Sequence, residues 1–212
     1  TSNTAGYYAL YMINADSNTV TGSYLSNPPG TGARLTGGAD YNTISQSTMT
    51  SNAALYYALW IDASDSNTVT GSYISNPAGT GAFLDAGADY NTISLSTMTS
   101  NGGNSALYIF GSDSNTVTGS YISNPTGNGA YLNGGADYNT ISLSTMTSNA
   151  LSYAALFIAG SNSNTVTGSY ISSQLGFGAR LDAGAAYNTI SLSTMKSNTT
   201  GDFAFWINAA DS

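Results

Sequence analysis

Eleven Asp, three cations and many Tyr, Thr, Ser and Asn carry the polar chemistry of this 212-residue sequence, which has no His, no Cys and no Glu. Absence of Cys removes disulfides, thiol chemistry and Cys-ligated metals from consideration. General acid–base catalysis needs unlike groups gathered around one reacting bond, and glycoside hydrolysis needs a pair of carboxylates. The cations are Arg34, Arg180 and Lys196, and the two Arg lie six repeats apart. Asp62, Asp85 and Asp182 each recur singly, one to a repeat. The expectation from these residues is a protein that is not an enzyme, with no catalytic residue assigned.

Three files of side chains are better suited to binding. Asn18, Asn42, Asn67, Asn91, Asn115, Asn139, Asn164 and Asn188 each open an Asn-Thr-Val or Asn-Thr-Ile, every 24 or 25 residues. Aligned on them, Tyr11, Arg34, Trp60, Phe83, Tyr108, Tyr131, Phe157, Arg180 and Trp206 fall into one column, each between two inward apolar residues. Strand alternation turns that column toward solvent, and an exposed apolar patch marks a binding surface. The column admits three readings: aromatics that stack on one another along a sheet, a face for a protein partner or for self-association, or ring faces for sugars. The second file pairs Thr19, Thr43, Thr68 and their repeats with Thr21, Ser45, Thr70 and theirs, and its flat Thr-x-Thr/Ser array resembles the faces of ice-binding solenoids. The third is Asp16, Asp40, Asp65, Asp89, Asp113 and Asp137. Asp40, Asp65, Asp89 and Asp113 are its Ca²⁺ candidates, with Asx-turn hydrogen bonding at an exposed corner as the competing reading. No other metal or cofactor is expected.

What positions these files is a repeat of short strands. In Thr68-Val69-Thr70 and Thr92-Ile93-Ser94 a β-branched apolar residue sits between two hydroxyl residues, the period-2 signature of a strand with one buried face. Two further strands follow in each repeat, around Ile74 or Met98 and at Leu59-Trp60-Ile61 or Ala82-Phe83-Leu84, with turn clusters such as Asn76-Pro77-Ala78-Gly79 between. Periods of this size mean solenoids or propellers, and a propeller blade needs about 40 residues. Three strands in 24 or 25 residues therefore predict an all-β solenoid of eight to nine coils, a rod on the order of 40 Å long. Its inner walls are Val20, Ile44, Val69 and their repeats; Leu25, Met49, Ile74 and theirs; and alternating large and small pairs such as Leu59 with Ile61 and Ala82 with Leu84. Met is expected to fill the space left by the small residues. Leu95, Leu143 and Leu192, which alternate with Gly at a turn, have no inward or outward assignment from pattern alone.

Asn-Thr-Ile, a turn, an Ile shortly before an Asn, and then Gly-Ala-x-Leu resemble the right-handed parallel β-helix repeats of the pectate-lyase superfamily, found also in autotransporter passenger domains and other bacterial surface proteins. The resemblance covers essentially the whole chain and implies the fold; activity does not follow from it. That family often stacks Asn in the turn after the first strand, where this chain has Ser at every repeat, from Ser23 and Ser47 to Ser193. Taken together with the residues, the expected function is that of a non-catalytic extracellular or cell-surface solenoid, acting as stalk, adhesin or self-assembling scaffold. The alternative is a ligand binder, of glycan through the aromatic column or of ice through the Thr face.

Composition fits an extracellular life. Charged residues make up 7% of the chain and the net charge is −8, which argues against nucleic acid as a partner. No apolar run reaches the ~18 residues of a membrane span. Thr1-Ser2-Asn3 aligns with Thr50-Ser51-Asn52, and the chain stops at Asp211-Ser212 where Asn-Thr-Val is due. The expectation is a single segment over 1–212, uncapped at both ends, from a longer protein or an end-to-end assembly.

Overall fold

The computed structural model describes residues 1–182, 184–199 and 201–208; the Asp211-Ser212 end lies outside them. They form three parallel sheets, one of nine strands and two of eight, and each coil gives one strand to each sheet in turn. One coil runs Thr92–Ser94, Thr97–Ser100 and Ser105–Phe110. No helix interrupts the sequence of strands among the described residues.

Register is fixed by the buried residue of each strand. Ile93 stands between Val69 and Val117 on the first wall, and Met98 between Ile74 and Ile122 on the second. Leu107 and Ile109 stand between Ala82 with Leu84 and Ala130 with Leu132 on the third. All of these are fully or almost fully buried in one continuous core. Each large aliphatic removed from water contributes about 1.5–3 kcal/mol, and a slip of one residue would turn it outward. The strand Thr97–Ser100, which carries Met98, lies beside both Thr80–Asp85 and Ser105–Phe110, because the chain climbs one rung per coil. Met98 is fully buried in the same core as Ala82 and Leu107.

Two polar ladders close the corners. Before the first sheet, Asn67 N–H donates to Asn91 Oδ1 at 2.8 Å and Asn91 N–H to Asn115 Oδ1 at 2.8 Å, while Asn91 Nδ2 donates to the Ser64 carbonyl at 3.0 Å. After that sheet the Ser column does equivalent work: Ser72 N–H donates to Ser96 Oγ at 3.1 Å, and Ser96 Oγ donates to the Ser94 carbonyl at 2.8 Å. A hydroxyl has one proton to give where an amide has two, so Ser here makes the ladder with one donor fewer per rung.

The residue before each ladder residue takes a left-handed backbone: Ser66 and Tyr90 (φ 58° and 56°) before Asn, Gly71 and Leu95 (φ 56° and 49°) before Ser. Leu95, Leu143 and Leu192 point outward, 71%, 72% and 91% exposed. For a side chain larger than Gly this conformation costs about 1–2 kcal/mol. Gly occupies the same corner at Gly22, Gly71, Gly119 and Gly168, so the fold itself does not require Leu there.

Candidate functional site

The aromatic column is built as expected from sequence: Tyr11, Arg34 and Trp60 are consecutive register partners, as are Phe83, Tyr108, Tyr131, Phe157, Arg180 and Trp206. The rings, however, lie face to face. Phe83–Tyr108, Tyr108–Tyr131 and Tyr131–Phe157 have centroids 5.0, 5.0 and 4.7 Å apart, the last two pairs within 5° of parallel. At rung spacing, stacking is the favourable arrangement for adjacent rings. Their faces are therefore covered: Phe83 keeps only 7% of its surface, and Tyr108, Tyr131 and Phe157 are half-buried.

Arg34 and Arg180 bracket the stack. The Arg34 guanidinium lies 3.8 Å from the Trp60 ring centroid and donates to Asp62 at 2.5 Å and to the Tyr8 hydroxyl at 2.6 Å. Arg180 lies over Phe157, 4.9 Å from its centroid, and pairs with Asp182. Tyr11 stacks on Tyr8 at 4.6 Å, and Trp206 lies 4.6 Å from Phe203.

A cleft of about 420 Å³ opens along the start of these same strands. Connections from the second sheet to the third alternate in length, with residues 51–56, 101–104 and 149–153 longer than residues 77–79 and 125–127 between them. The longer ones overhang the shorter. Asn104 Nδ2 reaches the Ala54 carbonyl at 3.4 Å, two coils away. Leu55, Asn104 and Tyr153 from the longer connections line the cleft together with Thr80, Ser105, Asn128, Tyr57, Tyr108 and Tyr131 of the strands. Burial pushes the hydroxyl pKa of Tyr57, Tyr108 and Tyr131 up, so they remain proton donors. Sequence reading missed this cleft. Its signal was the two-coil alternation of loop length, which an alignment on Asn alone averages away.

The carboxylates also differ from expectation. Asp62 and Asp85 are register partners on adjacent rungs at the other end of the same strands. Asp62 Oδ2 accepts from Arg34 and, at 2.9 Å, from Thr36 Oγ1. Asp85 accepts from Ala86 N–H at 2.7 Å, and burial, with the charge of Asp62 adding to it, raises its pKa. Acid and base groups that looked scattered, one to a repeat, are neighbours once the coil closes.

In the third file each Asp holds the next rung: Asp89 N–H donates to Asp65 Oδ1 at 2.9 Å, and Asp113 N–H to Asp89 Oδ1 at 2.6 Å. This is hydrogen bonding at a corner. Among the described residues, no group that includes Asp40, Asp65, Asp89 or Asp113 is arranged to hold a metal ion. Burial, together with the charges of Asp113 and Asp65, raises the pKa of Asp89. A carboxylate with a raised folded-state pKa binds its proton more tightly folded than unfolded. Its penalty is full above the folded value and is relieved as pH falls toward ~3.9, the unfolded value. With Asp85 and Asp89 both raised, these two groups are expected to make the melting temperature rise as pH falls from neutrality toward about 4; thermal melts across that range check it, and a steady fall would count against this account.

The Thr face is half-internal. Ser45, Ser94, Ser142 and Ser191 donate to Thr21, Thr70, Thr118 and Thr167 at 2.9–3.1 Å, joining the second file in pairs. Tyr41, Tyr90, Tyr138 and Tyr187 stand exposed along one edge, and Gln46, Leu95, Leu143 and Leu192 along the other, so the hydroxyl floor lies between ridges.

Comparison with solved structures places this geometry. Pectate lyase Pel9A superposes with a TM-score of 0.64 at 13% identity, over 100% of this chain and 65% of the lyase. DFA-IIIase from Arthrobacter chlorophenolicus A6, without its lid, gives 0.61 at 14% identity, over 86% of this chain and 54% of the enzyme. The Dettilon tailspike protein gives 0.60 at 12% identity, over 96% and 55%. The chain thus spans between 54% and 65% of the lengths of these three. Among curated proteins, none matches the sequence. The expectation of a protein that is not an enzyme does not stand: two of these three structures with its fold are enzymes, and it rested on a scatter of charged groups that Asp62, Asp85 and Arg34 do not show. The three-sheet coil, the register of its walls and the model of the right-handed β-helix region, which matches residues 1–119 and 89–211, agree, and the chain belongs to that family.

Proposed function

We propose that this chain is the glycan-binding, adhesive β-helix of an extracellular or cell-surface protein, and that it seats a neutral sugar in the cleft over Tyr57, Tyr108 and Tyr131. The cleft carries the reading. It combines aromatic rings with a small number of converging amides and hydroxyls, from Asn104, Ser105, Thr80 and the tyrosines, the mixture that fixes and orients a polar ligand in a concave site. The superposed pectate lyase is named for a sugar polymer, which agrees with a saccharide ligand. Neutrality follows from charge: Arg34 and Arg180 are paired with Asp62 and Asp182, and the net charge of −8 repels an acidic chain.

The aromatic column is, on this reading, a platform that stiffens the sheet beneath the cleft. Tyr153→Ala and Asn104→Ala are expected to weaken binding of the best neutral glycan from an array by about tenfold each, roughly 1.4 kcal/mol. Trp60→Ala, beneath Arg34 and outside the cleft lining, is expected to lower the melting temperature and leave affinity unchanged. Isothermal titration of the three variants checks this, and an array without a neutral ligand would remove the proposal.

A further inference from the structure

A second surface, remote in character from the cleft, runs along the second sheet. Tyr24, Tyr73, Tyr121 and Tyr170 stand on alternate rungs, all exposed, with Thr48, Thr97, Thr145 and Thr194 between. Two rungs separate successive rings by about 9.6 Å, too far for them to stack on one another. The Tyr73 hydroxyl is hydrogen-bonded with Ser75 and Thr99, which lowers its pKa, and the residue keeps 45% of its surface exposed.

The platforms are walled on both sides. On one side Leu95 and Leu143 lean over the next coil, with Cδ2 3.0 and 3.1 Å from where a Cβ would stand on Gly119 and Gly168, two residues before Tyr121 and Tyr170. They do so from left-handed backbone at a corner where other coils use Gly, so a strained, water-exposed Leu is retained that the fold does not need. On the other side Asn52, Asn101 and Asn149 are exposed. Between Tyr24 and Tyr73 the groove deepens to a hollow of about 260 Å³ walled by Pro28, Pro77, Thr50 and Asn52.

We infer that this groove docks a proline-rich peptide in the polyproline II conformation, lying parallel to the rod axis. Such a helix repeats every three residues at about 3.1 Å each, or about 9.3 Å, close to the roughly 9.6 Å between tyrosines. One face of the peptide therefore meets one ring per turn over several coils. Proline rings are apolar and lack an N–H, so the peptide presents carbonyl acceptors only. The groove answers with amide and hydroxyl donors such as Asn52, Asn101, Thr97 and Thr145, and at its far end the Lys196 ammonium lies 5.6 Å from the Tyr170 ring centroid. Aromatic-lined grooves with few donors are the general solution to this conformation.

The test is titration of the whole chain with a synthetic oligoproline of about ten residues, which spans about 31 Å and so the three intervals between the four tyrosines. A Gly-Ser peptide of equal length and a cello-oligosaccharide are the comparison ligands. Tyr121→Thr and Leu143→Gly introduce the residues the same columns carry in alternate coils, so circular dichroism should show both folded. Saturable oligoproline binding is expected, weakened by about tenfold in each variant. No oligoproline binding, binding unchanged in Tyr121→Thr, equal binding of the Gly-Ser peptide, or preference for the oligosaccharide would each overturn the proposal.

Discussion

Asn91→Ala is expected to lower the unfolding free energy by about 4 kcal/mol, because it strands two buried backbone groups at about 1–3 kcal/mol each and leaves a small void. Asn91 Oδ1 accepts the Asn67 N–H at 2.8 Å and its Nδ2 holds the Ser64 carbonyl at 3.0 Å, both shielded by the coils above and below. Neither group has water to turn to when the amide is gone. Asn18 opens the same motif but is exposed, and there the change is expected to cost about 1 kcal/mol or less. Urea unfolding of the two variants checks the contrast. Equal losses at the two positions would mean that the ladder acts through local turn preference and not through burial.

The contrast also shows what could be read from sequence. Asn-Thr-Val/Ile is visible because a buried ladder leaves each rung the same solution, and Val or Ile is visible because a strand has only two faces. The three walls and the outward file of Tyr, Phe, Trp and Arg follow from those two facts. Whether Leu95 points in or out did not follow, since a left-handed corner breaks the alternation on which pattern reading depends.

The candidate site was less legible because it depends on neighbours about 24 residues apart. Stacking of Tyr108 on Tyr131 covers faces that alternation alone assigns to solvent. Pairing of Asp62 with Asp85 is set by register, and Arg34 reaches Asp62 from the coil before. The cleft arises from a difference of a few residues between successive loops, which pattern matching treats as slack. Each of these is a relation between coils, and the motif that revealed the repeat concerns relations within one.

Gly81→Ala is expected to cost about 3 kcal/mol or more, although its backbone is not in the left-handed region and Ala is the smallest possible addition. A Cβ there would stand 2.5 Å from the Ala106 carbonyl oxygen and 3.0 Å from that of Thr99, both backbone atoms of neighbouring strands. Neither is a flexible chain end that can move aside. The same approach recurs at Gly32, Gly129 and Gly178, each 2.4 Å from an Ala carbonyl of the next coil. Gly-Ala-x-Leu is thus a packing rule: the coil can close over the third sheet only where backbone lies directly on backbone. Gly87 supplies the comparison, with φ +75° and open space around its Cβ position. Its change to Ala is expected to cost only the left-handed penalty of about 1–2 kcal/mol. If chemical denaturation ranks Gly87→Ala as the more damaging of the two, backbone conformation and not coil-to-coil contact governs these glycines, and the rule drawn from the motif is wrong.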